Sequence, residues 1–243
     1  MRKKAFFIIA AFISTTAFAN SPSNPHDLAY PDTSQPALKA QKVDEYTIQN
    51  NQHYNNIYPL NDDGTINVVV EIPTGTLAKW EINADNNKQL VWEFKEGRPR
   101  VVQYLGYPGN YGTIPRTLLS KERGGDDESL DVLILGQALP RGIIIPVRPI
   151  GVLRTIDKGR QDDKIIAVMI KGSPFSKINT MEELDRQFKG VSLIIKTWFN
   201  NYKGPHGDIH SIEYGDAKVA FKSLEKSMED FVSNLSSQPS ANP

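Results

Sequence analysis

Acidic residues are concentrated in a short segment that leads directly into an apolar stretch. Five of the ten residues from 122 to 131 are acidic, and four of these lie within residues 126–131. Carboxylates this close repel one another, so the cluster needs protons or a cation to neutralise it. Clustered carboxylate oxygens suit hard ions such as Mg²⁺, Mn²⁺ or Ca²⁺. An EF-hand is excluded because Gln137 stands where that loop needs its last glutamate. Taken alone, the cluster is also compatible with a solvated acidic turn.

A second acidic segment, residues 157–164, precedes another apolar stretch. Asp162 and Lys164 are two residues apart, so both side chains point to one face if a strand begins there. A lysine beside metal-binding aspartates is what a phosphoryl site needs, because the metal and the ammonium group share the charge of the anion. An ordinary hairpin loop is the alternative interpretation of this segment alone.

Other ionisable and polar side chains lie in predicted strands and turns, where they could belong to the same site. Glu71 is inside a β-branched segment, where a buried and unpaired carboxylate would be costly. Lys79 and Glu81 share a face of the next predicted strand, although an ion pair on the solvent side explains them equally well. The turn-rich segment 107–112 carries two tyrosines, whose hydroxyls can donate to an anion without adding charge.

The composition excludes several other kinds of chemistry. The chain has 243 residues with 28 basic and 28 acidic side chains, a balance that gives no indication of nucleic-acid or anionic-lipid binding. With no cysteine it forms no disulfide or thiolate zinc site and has no cysteine nucleophile. His206 and His210 have the spacing of zinc ligands, but further ligands are missing nearby. Walker A, GxSxG and HExxH motifs are absent.

The elements that must position these residues are strands followed by helices, which predicts the α+β class. Five apolar runs predict strands, at residues 67–72, 78–82, 131–135, 143–152 and 164–170. The intervals between them are too short for crossover helices, which favours a β-barrel or meander over a parallel sheet. Residues 180–183 match a capping box and predict a helix that Gly190 can divide, and a second helix is predicted over about 216–235.

The ends of the chain differ from this central domain. Residues 1–19 have a basic start, a short apolar run and the sequence Ala17-Phe18-Ala19, which are the features of a secretory signal peptide. The apolar run is too short to span a membrane. Residues 20–60 are predicted to be a polar, loosely ordered extension, 61–232 the single domain, and 233–243 a disordered tail. We therefore expect an exported protein, in a bacterial periplasm or secreted, with no membrane attachment after cleavage.

Eight segments, taken in chain order over about residues 67–230, resemble the soluble inorganic pyrophosphatases of family I. They are Val-Val-Val-Glu71-Ile-Pro, Lys79-Trp-Glu81, Arg100, Tyr107-Pro-Gly-Asn-Tyr111-Gly, Asp126-x-Glu128-x-x-Asp131-Val-Leu, Arg148-Pro-Ile-Gly-Val-Leu, Asp157-x4-Asp162-x-Lys164 and Tyr202-Lys203. The resemblance implies a closed five-stranded OB-like β-barrel with two main C-terminal helices packed on it. It also implies a homo-oligomer that hydrolyses pyrophosphate to two orthophosphates with Mg²⁺, for which Mn²⁺ can substitute.

The resemblance further implies a role for each polar residue of these segments. Metal binding falls to five carboxylates: Glu71, Asp126, Asp131, Asp157 and Asp162. Phosphate binding falls to Lys79, Arg100, Tyr111, Lys164, Tyr202 and Lys203, with supporting roles for Glu81 and Tyr107. The resemblance assigns the role of catalytic base to Glu128, at a position where the family has an aspartate followed by proline. Because a displacement of about 1 Å can cost about a hundredfold in rate, this departure matters, and Asp127 is an alternative base.

Two other functions stay open at this stage. One is an exported hydrolase of another phosphoanhydride, such as short polyphosphate or a nucleotide. The other is a metal- and phosphate-binding barrel in which Glu128 has weakened catalysis. A nucleic-acid-binding barrel is disfavoured, because the carboxylate clusters would repel phosphates in the absence of metal.

Overall fold

The computed structural model describes residues 40–237. The predicted signal peptide lies outside this range, as do residues 20–39 of the predicted extension and the end of the predicted tail, residues 238–243. Within the range that is described, no helix combines the length and the apolar character needed to cross a membrane.

Strands make up most of the first two thirds of this range and helices most of the last third. The strands are β1 (Gln41–Lys42), β2 (Thr47–Gln49), β3 (Ile66–Ile72), β4 (Trp80–Ile82), β5 (Gln89–Trp92), β6 (Phe94–Lys95), β7 (Arg98–Pro99), β8 (Asn110–Thr113), β9 (Asp131–Leu135), β10 (Ile144–Asp157), β11 (Arg160–Gln161), β12 (Lys164–Met169) and β13 (Ile209–Asp216). The helices are α1 (Met181–Gln187), α2 (Val191–Asn201) and α3 (Ala217–Ser237). This order confirms the predicted α+β class.

Five strands form a hydrogen-bonded path that returns to its starting strand. β3 pairs with β8, β8 with β9, β9 with β12, β12 with β10, and β10 with β3. All of these pairs are antiparallel except β9 with β12, which is parallel. Parallel neighbours need a long crossover connection, and here the chain supplies it with the 14-residue strand β10 instead of a helix.

The core lies on both faces of this sheet. Val132 and Ile134 of β9 belong to one apolar cluster, which α3 joins through Ala220 and Leu224. Leu133 and Leu135 point the other way, into a cluster that includes residues of α1 and α2. Because successive strand residues face opposite sides and both sides are covered, β9 and β12 form continuous apolar runs in the sequence.

Two parts of the sheet structure differ from the predictions. Residues 40–60 were predicted to be loosely ordered, yet they contain β1 and β2, and β2 pairs with β5 in a separate four-stranded sheet with β4. β13 is a further strand that the apolar pattern does not reveal, and it pairs with β10. Its sequence alternates little and is mostly polar, because much of β13 is exposed.

Within residues 40–237 the helices agree with the prediction: the first predicted helix is divided at Gly190 into α1 and α2, and the second is α3. The Thr180 hydroxyl accepts a hydrogen bond from the Glu183 backbone N–H at 3.0 Å, which confirms the cap of α1. Gly190, at φ +88°, ends this turn and separates α1 from α2. α3 continues to Ser237, so the first residues of the predicted tail are helical.

Candidate active site

The register of the parallel pair places the two acidic segments side by side. Lys164, the first residue of β12, lies opposite Asp131, the first residue of β9. The Lys164 ammonium donates to Asp131 Oδ2 at 2.6 Å and also to Asp162 Oδ1. The Tyr111 hydroxyl, on neighbouring strand β8, donates to the same Asp131 oxygen. The predicted juxtaposition of Asp162 and Lys164 on one face is therefore present.

Burial strongly shapes the charges of this group. Burial lowers the pKa of Lys164, but Asp131 and Asp162 outweigh that effect and hold the pKa well above its usual range. Burial raises the pKa of Asp162 to about 6, against the opposing effect of Lys164. Burial and then Asp131 raise the pKa of the Tyr111 hydroxyl well above its usual value. Near neutral pH this group therefore contains a charged ammonium and a protonated phenol.

Glu71 reaches the same region from an irregular position of β3. The β3–β8 register shifts between Val70 and Ile72, and such a bulge re-aims the side chain at its centre. Glu71 is 2% exposed and accepts a hydrogen bond from the Thr113 hydroxyl at 3.2 Å. Burial raises the pKa of Glu71 to about 8, although the nearby Lys79 opposes that shift.

Aromatic side chains form a wall behind these charges. The ring of Tyr107 lies 5.1 Å from that of Tyr111 and 4.4 Å from that of Trp198, between ring centroids. Tyr202, which ends α2, stacks on Trp198 with the two rings 4.6 Å apart and nearly parallel. Burial raises the pKa values of the Tyr107 and Tyr202 hydroxyls. All three predicted tyrosines therefore line one region as protonated hydrogen-bond donors.

The Lys79 ammonium lies 5.8 Å from the ring centroid of Tyr111. Burial lowers the pKa of Lys79, but Tyr107, Glu71 and Asp131 outweigh it and the net shift is upward. Glu81 is exposed at the surface beside Lys79, and partial burial raises its pKa. The two residues are thus neighbours, as their spacing predicts.

Two further cations are held by acids. Lys203 forms an ion pair with Asp157 Oδ2, and the other oxygen of Asp157 is buried without a hydrogen-bond partner within residues 40–237. Arg100 Nη1 lies 2.6 and 2.7 Å from the two carboxylate oxygens of Glu93. The sequence analysis did not identify Glu93, which lies between β5 and β6 and belongs to no motif.

The acidic loop, residues 119–130, carries Asp126 and Glu128. The Glu128 backbone N–H donates to Asp126 Oδ1 at 3.0 Å, which orders the turn between them. Although Glu128 has an exposed surface, partial burial of its carboxyl and the nearby Asp131 and Asp126 raise its pKa to about 7. Asp127 is turned away, because Lys121 binds both of its carboxylate oxygens, at 2.7 Å through its backbone N–H and at 2.6 Å through its ammonium. The geometry therefore favours Glu128 over Asp127 as the site carboxylate.

The donor set of this region fits a hard cation. In residues 40–237, no three acidic or imidazole side chains converge as a ready-made metal site. The Lys164 ammonium occupies the space between Asp131 and Asp162, which explains their separation. The unpartnered buried oxygen of Asp157 can still accept a ligand. His210 of β13 pairs with Ile156 of β10, beside Asp157, but within residues 40–237 it belongs to no group of three possible zinc ligands.

Two other polar residues support the site and were missed by the sequence analysis. The Thr113 hydroxyl donates to Glu71 because the β3–β8 pairing brings the two residues together, and that pairing cannot be read from the sequence. Asp163 accepts from the Thr155 backbone N–H at 3.1 Å and from Gln161 Nε2 at 2.7 Å. Strand alternation could have indicated that Asp163 points away from its neighbour Asp162.

Fold and site together define an α+β protein in which carboxylates, ammonium groups and phenols, several of them buried, lie close together. The family model for inorganic pyrophosphatase matches residues 68–232. The chain belongs to the inorganic pyrophosphatase family, which confirms the resemblance carried by the eight segments.

Curated relatives and solved structures agree with this assignment. The chain is 33% identical over 176 residues to the inorganic pyrophosphatase of Drosophila melanogaster, covering 66% of this chain and 52% of that protein. It is 32% identical over 155 residues to a chloroplastic soluble inorganic pyrophosphatase of Arabidopsis thaliana, covering 60% and 51%. The chain spans about half the length of the curated relatives it matches.

Two solved structures show the extent of the shared fold. An inorganic pyrophosphatase from Neisseria gonorrhoeae is 32% identical with a TM-score of 0.61, covering 73% of this chain and 98% of that one. A truncated vacuolar soluble pyrophosphatase from Trypanosoma cruzi, solved in complex with PPi, has a TM-score of 0.73 at 21% identity, covering 98% and 100%. The second likeness concerns the fold alone.

Proposed function

We propose that this chain hydrolyses inorganic pyrophosphate to two orthophosphates. The observation that carries the proposal is the buried group of Lys164, Asp131, Asp162 and Tyr111, in which one ammonium and one phenol converge on a carboxylate. Relatives that are 32–33% identical to the chain are named as inorganic pyrophosphatases. Together, family and site favour the diphosphate over other anions.

We propose Mg²⁺ as the cofactor, with Mn²⁺ as a substitute. The residues that would hold the ions are carboxylates at the edges of the site: Glu71, Asp126, Asp131, Asp157 and Asp162. All of their ligand atoms are oxygens, which is the preference of these cations. When bound, such ions lower the pKa of a coordinated water and share the charge of the phosphates.

The chain's own residues then bind the substrate and move one proton. Ammonium and guanidinium groups neutralise phosphate oxygens, and Arg100 can bind two oxygens of one phosphate once Glu93 releases it. Tyr111 and Tyr202 stay protonated and donate hydrogen bonds. The Glu128 carboxylate accepts the proton of the attacking water, as a general base. Positioning and electrostatics carry such a transfer to water without a covalent enzyme intermediate.

The proposal is tested by measuring phosphate release from pyrophosphate, tripolyphosphate and ATP, with and without chelator. We expect pyrophosphate turnover that requires the divalent cation and is lost in Asp131→Asn. Asp127→Asn is the matched control, because this neighbouring aspartate is held at the surface by Lys121. Turnover that survives both chelator and Asp131→Asn would contradict the metal-dependent mechanism.

Two alternatives correspond to other outcomes of the same assay. Preferential turnover of tripolyphosphate or ATP would identify a hydrolase of another phosphoanhydride. Metal binding with no turnover of any substrate would identify a binding barrel in which Glu128 has replaced the family's aspartate at the cost of catalysis.

We also propose that the five-strand path is a closed barrel of the OB-like type and that the domain comprises residues 61–232. The return of the pairing from β10 to β3 supports closure. An experimental structure tests closure, and limited proteolysis with mass spectrometry tests the domain limits. A stable fragment with ends far inside these limits would contradict them.

We further propose that the protein is exported and forms a homo-oligomer. Export is supported by the signal-like composition of residues 1–19. N-terminal sequencing of protein from cell fractions tests cleavage near Asn20, and light scattering tests the oligomeric state. An uncleaved chain in the cytoplasmic fraction, or a monomer, would contradict the respective proposal.

A further inference from the structure

The acidic loop contacts helix α3 through its first half, the part that precedes Asp126 in sequence. The backbone N–H of Leu118, directly before the loop, donates to the Ser227 carbonyl of α3 at 2.9 Å. Arg123 Nη1 lies 3.0 Å from Asp230 Oδ1, one helical turn further on. The Ser120 backbone N–H also points at this carboxylate, 3.4 Å from Oδ2. One helix therefore holds both the entry and the middle of the loop.

The carboxylate of Asp230 is unusual for its position on α3. Its side chain is 4% exposed, and it shares the buried face of the helix with Ala220, Leu224 and Ser227. A buried carboxylate is costly unless it is paired and hydrogen-bonded. The contacts of Asp230 with Arg123 and Ser120 meet that need, and both partners belong to the acidic loop. The negative charge of Asp230 thus binds the acidic loop to α3.

Inside the loop, backbone hydrogen bonds connect this anchor to the site residues. The Leu119 N–H donates to the Glu128 carbonyl, and the Asp127 N–H donates to the Leu119 carbonyl, each at 2.8 Å. On the far side, the Gln161 N–H donates to the Gly124 carbonyl at 2.9 Å. Asp126 and Glu128 therefore lie on a segment that α3 fixes at one side and β11 at the other.

The loop needs external support because its own conformation is irregular. Gly124 has φ +87° and Asp127 φ +67°, and residues 121–124 are exposed. A segment with few buried apolar contacts opens at low free energy unless other contacts hold it. The contacts to Asp230 tie the exposed turn to α3, the longest helix within residues 40–237.

We propose that Asp230 is a positioning residue that holds the acidic loop, through Arg123 and Ser120, so that Asp126 and Glu128 face the site. The proposal rests on the pyrophosphatase function inferred above. Asp230 acts through the loop, so its removal should affect kcat more than the KM for pyrophosphate. The cations proposed to bind phosphate lie outside this loop, among them Lys79, directly before β4, and Lys164, the first residue of β12.

The test compares Asp230→Asn with Glu229→Gln in otherwise identical protein. Glu229 is a matched control because it is the adjacent residue of α3 and lies 3.5 Å from the same Arg123 Nη1, but its side chain is 69% exposed. Since a displacement of about 1 Å can cost about a hundredfold in rate, we expect Asp230→Asn to lower kcat by about ten- to a hundredfold. The KM for pyrophosphate and the kcat of Glu229→Gln should stay within about twofold, as expected for a surface pair of little energy.

A second readout requires neither metal nor activity. In chelator, hydrogen exchange at the amides of Leu119 and Asp127 should become at least about tenfold faster in Asp230→Asn, while exchange in β12 stays unchanged. Arg123→Gln changes the exposed end of the same contact, whose side chain is 46% exposed, and should reproduce the effect if Asp230→Asn folds poorly. The double variant should be no worse than either single variant.

Three results would overturn the proposal. The first is a normal kcat with normal loop exchange in both Asp230→Asn and Arg123→Gln. The second is an equal loss in Glu229→Gln, and the third is exchange that rises uniformly over the sheet, which would mean that Asp230 only stabilises the fold. If the wild-type protein hydrolyses no pyrophosphate, the proposed function fails, and loop exchange still decides whether Asp230 holds the loop.

Discussion

Replacing Lys164 by methionine tests whether its ammonium group holds the two site carboxylates in place. The side chain of Lys164 is 2% exposed, and those of Asp131 and Asp162 are 13% and 10% exposed. Methionine has similar length but no charge, so both carboxylates would stay largely buried without their cation. Because removing one partner of a buried ion pair leaves uncompensated charge, we expect the free energy of unfolding to fall by about 3–5 kcal/mol.

The assay is urea unfolding at pH 8 in chelator, followed by tryptophan fluorescence. With a denaturant slope of about 2 kcal/mol per M, the expected loss lowers the midpoint by about 1.5–2.5 M. Lys121→Met is the matched control, because Lys121 lies 2.6 Å from Asp127 but the two side chains are 53% and 45% exposed. An exposed pair contributes about 0–1 kcal/mol, so the control should shift the midpoint by about 0.5 M at most.

Equal midpoint shifts in the two lysine variants would refute the reasoning, since burial is the main difference between the pairs. A further variant separates lost charge from lost packing. Adding Asp131→Asn and Asp162→Asn to Lys164→Met removes the unpaired carboxylates, so most of the lost stability should return. If the triple variant recovers none of the stability lost in Lys164→Met, packing of the lysine stem is the dominant contribution.

Three further predictions concern the strand packing, the pH dependence and the base. Gly112→Ala should lower the free energy of unfolding by about 3 kcal/mol in thermal melts, because a Cβ there collides with a backbone carbonyl of β3. Gly64→Ala is the control: its Cβ would meet open space, and the φ of +80° should cost only about 1 kcal/mol. In chelator, the free energy of unfolding of the wild type should fall from pH 5 to pH 8. The reason is that the pKa of Glu71 is about 8 in the folded state against an ordinary 4.5, so the folded state binds the extra proton over this range. In Glu71→Gln, urea unfolding should show a weaker dependence of stability on pH, and an unchanged pH dependence would contradict the prediction. Glu128→Gln should lower kcat for phosphate release by about 10²–10⁴-fold, since an amide accepts no proton from water, whereas Asp127→Asn should stay within about threefold.

The predictable strands are those whose two faces are both buried. Residues 131–135 match β9 at both ends, because every position from Val132 to Leu135 is buried and apolar. β10 extends to Asp157, beyond the predicted end at 152, because its last residues pair with β11 and β13, although Arg154, Thr155 and Asp157 interrupt the apolar run. β13 itself was missed for the same reason, since a half-exposed strand with mixed polarity lacks the period of two on which recognition depends.

The site residues were predictable as residue types, whereas their partners were not. Asp162 and Lys164 are two residues apart in sequence, so their shared face followed from strand alternation. The contact of Lys164 with Asp131 depends on the β9–β12 register. The contact of Arg100 with Glu93 depends on the geometry of a hairpin. Neither contact follows from the local spacing of residues in the sequence. The choice of Glu128 over Asp127 depends on the positive φ of Asp127, which turns this side chain toward Lys121.

The pairing of each site cation with an acid constrains how an anion can bind. Lys164 faces Asp131 and Asp162, Lys203 faces Asp157, and Arg100 faces Glu93. Glu71 and Glu128 add further carboxylates close to Lys79. A diphosphate entering this region meets at least as many negative groups as positive ones, so binding is unfavourable until the carboxylates have other counterions. If Asp131, Asp157 and Asp162 held a hard divalent cation, the ammonium groups of Lys164 and Lys203 would be available to the phosphates. From the acidic surplus of the site we therefore expect anion binding to depend on the cation, and pyrophosphate affinity measured with and without Mg²⁺ in Glu128→Gln tests this directly.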